Sequence, residues 1–423
     1  MSSIKYFFFF LCFSLYAQSN WQKVPNIITN NGGARFDDVF FLTDDLGWAA
    51  NGSNAAVFKT TDGGLTWAEQ LNESTLNGNY YFRNIEFLDE DIGFLGTLDG
   101  KFFKTLDGGN NWNEVSITPN PPAICGIEAI GESTIYGCGA YFEPAHIIKS
   151  TDKGMTWTFI DMSAYANALV EVTFLDELNG FASGRSDNGG VVLKTTDGGI
   201  NWIEIYNTNT IGEYVWKLQV LFNNSNVIFG AVFTTAPNPG KLIKSLDGGV
   251  TWTSYDAPEA AIEAVGFISE TKGWMGGHNT GFFETIDGGN TWTDLNIGGN
   301  LNRIFIINNN LAYAAGKSVY KFTDETLNIN SVGVESKKDM NIQLTKNPIS
   351  KHLEFTIDFN SPNNLLIELY GSKGNFIKQL SREIIKDKKI KSYAFNIETL
   401  AAGIYILDFH SNVGRTSKKF IKH

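Results

Sequence analysis

Up to about residue 326, the hydrophobic residues of this chain fall in short runs cut by acidic, glycine-containing loops. Phe41-Leu42-Thr43-Asp44 leads to Gly47-Trp48 and Gly52. The same order returns at Phe87-Leu88-Asp89 with Gly93-Phe94 and Gly96, and at Phe174-Leu175-Asp176 with Gly180-Phe181 and Gly184. A fourth copy runs from Phe267-Ile268 to Gly273-Trp274 and Gly276. Each reads as two strands joined by a tight loop. A second pattern follows downstream: Lys or Glu, Thr or Ser, any residue, Asp, any residue, Gly, two more, Trp. Its six copies are Lys59–Trp67, Lys104–Trp112, Lys149–Trp157, Lys194–Trp202, Lys244–Trp252 and Glu284–Trp292. Their aspartates, Asp62, Asp107, Asp152, Asp197, Asp247 and Asp287, stand 45, 45, 45, 50 and 40 residues apart. Asp324 follows as a decayed seventh copy. A period of this length, built from short strands, predicts an all-β propeller with one four-stranded blade per period.

Thr/Ser and Asp side chains can accept hydrogen bonds from nearby backbone N–H groups and tighten a turn. The glycine two residues after each aspartate allows the positive φ such a turn needs. Trp67, Trp112, Trp157, Trp202, Trp252 and Trp292 then fold back to bury a large apolar area. The pattern resembles the Asp-box (BNR) repeat of sialidases, sortilin-type receptors and photosystem II assembly-factor-like propellers. That resemblance implies that the boxes are structural and sit on each blade's outer hairpin, away from the functional mouth. Asn20-Trp21-Gln22-Lys23-Val24 matches Asn111-Trp112-Asn113-Glu114-Val115, so the leading segment is expected to complete the last blade and remove its open edge. Seven blades are expected, with six as the alternative count.

At the N-terminus Lys5 precedes Tyr6-Phe7-Phe8-Phe9-Phe10-Leu11-Cys12-Phe13, with Ala17 before Gln18. This reads as a signal peptide over 1–17, cut after Ala17, and hence export. No internal apolar run reaches the ~20 residues of a membrane-spanning helix. The mature chain then keeps Cys125 and Cys138. If Gly131-Glu132 is a two-residue turn, the two cysteines stand opposite each other at a non-hydrogen-bonded position, and a disulfide is expected.

After the propeller (18–326) and a polar linker (327–340), residues 341–423 carry 13 Lys/Arg against 7 Asp/Glu, net +6, whereas the rest of the chain is net −18. Leu353-Glu354-Phe355-Thr356-Ile357, Leu366-Ile367-Glu368-Leu369-Tyr370 and Gly403-Ile404-Tyr405-Ile406-Leu407 alternate apolar and polar residues, predicting a small β-sandwich. Asn347-Pro348, Ile367–Tyr370 with Gly374, Leu400-Ala401-Ala402-Gly403-Ile404-Tyr405 and Lys418-Lys419-Phe420-Ile421-Lys422 resemble the C-terminal sorting domain of the type IX secretion system. The resemblance implies type IX machinery as a partner and passage across the outer membrane to the exterior or cell surface.

Catalytic signatures are sparse. The histidines His146, His278, His352, His410 and His423 are scattered, with no ligand spacing, so neither metal nor cofactor is expected. The acidic loops Asp44-Asp45, Asp89-Glu90-Asp91 and Asp176-Glu177 lack calcium-loop spacing and read as solvated turns. Sialidase-like chemistry needs three clamping arginines, a Tyr nucleophile with a Glu partner and an acid/base Asp. Residues 18–326 contain only Arg35, Arg83, Arg185 and Arg303, none followed by Ile-Pro. A binding site fits better. Aligning the inner strands brings Asp38, Arg83, Asn84, Glu171, Gln219, Glu263 and Arg303 to their beginnings, as a mixed-charge channel mouth or as groups that pair with one another across blades. The net negative charge disfavours nucleic acid and anionic membranes. The expected function is non-enzymatic recognition of an extracellular protein or glycan. The alternatives are a sialidase-like glycoside hydrolase and a structural or assembly scaffold.

Overall fold

The computed structural model describes residues 20–422 except 28–33, 77, 79, 143, 324–339, 347–348, 360–362, 372–375, 388, 402 and 412–413. The signal peptide, the linker and Asp324 lie outside the described residues, as do Asn347-Pro348, Gly374 and Ala402 of the tail motifs. Among the described residues one short helix, Glu73–Leu76, interrupts an otherwise β structure.

Among the described residues seven four-stranded antiparallel sheets precede the tail. Blade 1 is Phe36–Phe41, Gly47–Asn51, Ala56–Thr60 and Ala68–Leu71; blade 2 is Phe82–Phe87, Gly93–Thr97, Phe102–Thr105 and Asn113–Glu114. Blade 3 is Gly126–Ile130, Thr134–Gly139, His146–Ser150 and Thr158–Asp161; blade 4 is Ala168–Phe174, Gly180–Ser186, Gly189–Thr195 and Ile203–Asn207. Blade 5 is Tyr214–Leu221, Asn224–Phe233, Lys241–Ser245 and Thr253–Asp256; blade 6 is Ile262–Phe267, Gly273–Gly277, Phe283–Thr285 and Thr293–Asp294. Blade 7 takes Arg303–Asn308, Leu311–Ala315 and Val319–Phe322 from the end of the repeats and its fourth strand, Trp21–Lys23, from the start of the chain. Each first strand packs against the first strand of the next blade, and blade 7 packs against blade 1, so the sheets close a ring.

The closing strand pairs Trp21 with Phe322. Trp21 is buried, stacked on Phe282 at 4.3 Å and edge-on to Trp274 at 5.4 Å, so it also wedges blade 7 to blade 6.

The aromatic residues of the inner-hairpin pattern explain its recurrence. Trp48 stacks on Phe87 at 3.5 Å, Tyr136 on Phe174 at 3.7 Å, Phe229 on Phe267 at 3.8 Å, and Tyr313 on Phe41 at 3.5 Å. In each pair, one blade's second strand meets the end of the next blade's first strand. These stacked pairs bury large apolar rings between neighbouring blades.

The boxes form hydrogen-bonded turns in which the hydroxyl also donates, and of their tryptophans only Trp202 is fully buried, the other five being half-buried. In blade 1, the Thr60 hydroxyl donates to Asp62 (2.8 Å) and accepts the Gly64 N–H (2.9 Å). Asp62 accepts the Thr66 N–H, and the Trp67 indole donates to the Gly64 carbonyl. Gly64 sits at φ 88°, where a Cβ would be strained. The box lysine has a role that single-blade reasoning misses: it reaches into the next blade. Lys59 donates to the Gly108 carbonyl, Lys149 to Gly198, Lys194 to Gly248, and Lys321 to Gly63 across the seam between blades 7 and 1.

The disulfide expectation is corrected. The hairpin turns through three residues, pairing Ile130 with Thr134 and Gly126, not Cys125, with Cys138. That one-residue offset removes Cys125 from the position opposite Cys138. Both are buried free thiols, and burial pushes both thiol pKa values up.

The tail forms two sheets, one of Met340–Leu344, His352–Phe359 and Lys389–Asn396, the other of Phe376–Ile385, Asn363–Gly371, Gly403–Ser411 and Gly414–Lys422. Leu353, Phe355, Ile357, Ile367, Leu369, Leu407, Phe409 and Phe420 meet in one core, as the alternation requires.

Candidate functional site at the centre of the ring

The beginnings of the inner strands do gather charge, but as a buried lattice of ion pairs. Asp37 of blade 1 receives Arg83 of blade 2 at 2.9 Å and Arg35 at 3.1 Å; Arg35 also pairs with Glu263 of blade 6. Arg303 of blade 7 crosses the ring to Glu171 of blade 4 at 2.6 Å and lies 3.6 Å from Asp38 of blade 1. Lys217 of blade 5 holds the other Glu171 oxygen at 2.5 Å. Across this end, the Arg83 guanidinium lies 5.7 Å from the Trp216 ring. Arg83, Asp38, Glu171, Lys217 and Glu263 are all buried. Of the residues picked out in the sequence, Arg303, Glu171 and Asp38 meet one another across blades, whereas Arg83 and Glu263 pair with Asp37 and Arg35.

Two sequence-derived candidates are otherwise engaged. The Gln219 amide makes a reciprocal pair with the Phe267 backbone, at 2.8 Å and 2.6 Å. Asn84 donates to the Ile124 carbonyl at 3.4 Å. Sequence alignment of the strands missed Arg35, Asp37, Lys217, Glu86 and Glu128. The Asp37-Asp38 doublet and the isolated charges inside apolar strands were the available signals, since a charge in a buried strand needs a partner.

Below the lattice, the ring encloses a cavity of about 610 Å³, bounded at its inner end by Glu128, Glu171, Lys217 and Arg303. Its walls are Val220, Ile304, Phe305 and Ile306, and it runs to Phe222 and the exposed Asn223 and Ser225 in the inner-hairpin loop of blade 5. Inner-hairpin loops lie beside the boxes, as the Gly63 N–H to Asp45 carbonyl bond of 2.9 Å shows in blade 1. The cavity thus opens on the face that carries the boxes, opposite the end where the candidate residues cluster.

The carboxyl groups around the cavity are unlike one another. Burial alone would raise Glu171, but Lys217 and Arg303 outweigh it and hold its pKa below the usual range. Burial pushes Glu128 up to about 8; Arg303 opposes this, Glu171 reinforces it, and the Thr173 side chain hydrogen-bonds the carboxyl. Glu86 is driven well up by burial and by Glu128 beside it. Among the described residues, no group of three or more His, Cys, Asp or Glu side chains could hold a metal ion.

Comparison with known proteins agrees with this architecture. Residues 14–160 match the family model described as photosynthesis system II assembly factor YCF48, and residues 347–423 match the secretion system C-terminal sorting domain. No curated protein sequence matches the chain. Among solved structures, YCF48 from Cyanidioschyzon merolae superposes with a TM-score of 0.57 at 20% identity, over 72% of this chain and 99% of that one. PorZ, a surface component of the type IX secretion system of Porphyromonas gingivalis, gives 0.52 at 14% identity, over 94% of this chain and 61% of that one. The GH74 enzyme of Niastella koreensis gives 0.53 at 14% identity, over 94% and 67%. No helix among the described residues is long and apolar enough to cross a membrane. The chain joins an Asp-box propeller similar to YCF48 to a type IX secretion-system C-terminal sorting domain, which marks it for the exterior or the cell surface.

Proposed function

We propose that the exported propeller recognises an extracellular ligand through its central cavity, on the box-bearing face, without turning it over. The carrying observation is the contrast between the two ends of the channel. One holds the buried pairs of Arg35 and Arg83 with Asp37 and Glu263, while the other opens a cavity with polar groups inside and apolar walls, the usual form of a binding site. A YCF48 structure with a bound D1 peptide supports a peptide-binding use of this kind of ring. In this reading the signal peptide is removed near Ala17 and the tail delivers the propeller through the type IX machinery. Labelled full-length protein should bind whole cells of its source, and Val220→Arg, which fills the cavity, should abolish that binding while leaving the melting curve in place. Equal binding by the variant would remove the proposal.

One observation favours a second reading, glycoside hydrolysis. Glu128 with its pKa pushed up to about 8 and Glu171 held low are two cavity carboxyls moved apart, the pattern of an acid and its ionised counterpart. Turnover of a fluorogenic sialoside or other glycoside, lost at least 100-fold in Glu128→Gln, would replace recognition by catalysis.

A further inference from the structure

We propose that the cavity receives a lysine or arginine side chain presented by a partner protein, an inference that rests on the recognition reading above. The argument is one of charge and shape. At the end away from the opening, Arg35 and Arg83 balance Asp37 and Glu263. At the cavity the balance fails: Glu128 and Glu171 line it, with Glu86 and Asp38 behind them, against two cations, Arg303 and Lys217, both already committed to Glu171. Glu128 lies between the inner strands of blades 2 and 4, whose own charged groups in this region are Arg83, Glu86 and Glu171. Arg83 is paired with Asp37. Among the described residues no ion pair reaches Glu86 or Glu128; Arg303 attracts both, but burial outweighs it and pushes both carboxyl groups toward the neutral form. The walls toward the opening are aliphatic and aromatic. A long apolar stem ending in a cation matches both features, stem against Val220, Ile304 and Phe305, head against Glu128.

Binding would then ionise the glutamates and expel protons. The test is calorimetric titration of the full chain with Nα-acetyl-lysine methylamide and its norleucine and glutamate counterparts, at pH 6 and pH 8. The lysine probe is expected to bind at least tenfold more tightly than norleucine, with proton release to the buffer at pH 6, and Glu128→Gln should erase the preference. Glu86→Gln serves as a second variant should the first fail to fold. Equal affinities, a lysine preference that survives both variants, or no binding of any probe while whole-cell binding persists would each overturn the cation assignment and leave the receptor reading standing. Whole-cell binding indifferent to Val220→Arg would defeat that reading itself.

Discussion

Asp197, Asp247 and Asp287 each accept several hydrogen bonds from their own turn, and these bonds hold their pKa values down to about 2. The bonds to Asn201, Thr251 and Thr291 lead the effect. A carboxyl with a depressed folded pKa adds stability that is complete above its ordinary value of 3.8 and is lost as pH falls toward 2. The propeller is therefore expected to melt earlier as pH drops from about 4 to about 2, as a thermal scan by circular dichroism would show, and Asp247→Asn should flatten part of that slope. Glu128 works in the opposite sense. Its raised pKa means that the fold loses stability as pH climbs from the ordinary 4.5 toward 8. Glu128→Gln should remove part of the decline on that side, and an unchanged profile would contradict the environment described for it. The box aspartates were legible in the sequence because their partners lie within four residues; Glu128 was not, because its neighbours come from other blades.

The elements are joined by two kinds of contact, one local and one between blades. Pairing of Trp21–Lys23 with Val319–Phe322 joins the segment before the repeats to the last strand of the repeats, and it was readable from the likeness of Asn20–Val24 to Asn111–Val115. Trp21→Ala removes a buried indole from the seam and should cost about 3–5 kcal/mol, measured by denaturant unfolding; a loss below about 1 kcal/mol would mean that the seam does not close the ring. Cys125 and Cys138 show the limit of such counting. One extra residue in the Gly131–Ser133 turn shifts the register and converts an expected bridge into two buried thiols. Both should resist Ellman's reagent in the folded protein and react on unfolding.

At the scale of the whole molecule, the ring decides what a charge does. Arg83 stands in the sequence as one of two arginines, with Arg303, expected at a channel mouth; in the fold it is buried against Asp37. Arg83→Met should therefore destabilise by about 3–5 kcal/mol, the usual loss when one member of a buried ion pair is removed. A variant that keeps full stability would mean the lattice is dispensable.

The sequence by itself determined the repeat, the box turns, the closing strand and the alternating tail. Each depends on residues that recur at fixed spacing or lie close along the chain, so local hydrogen bonding and strand period suffice to reveal them. Only the tertiary structure decided which charges meet, because Arg303, Asp38 and Glu171 come from blades far apart in sequence and are neighbours only once the ring closes. The same closure brought Arg35, Arg83, Asp37 and Glu263 together at one end of the channel and left the cavity at the other, since burial favours pairing where charged strands converge.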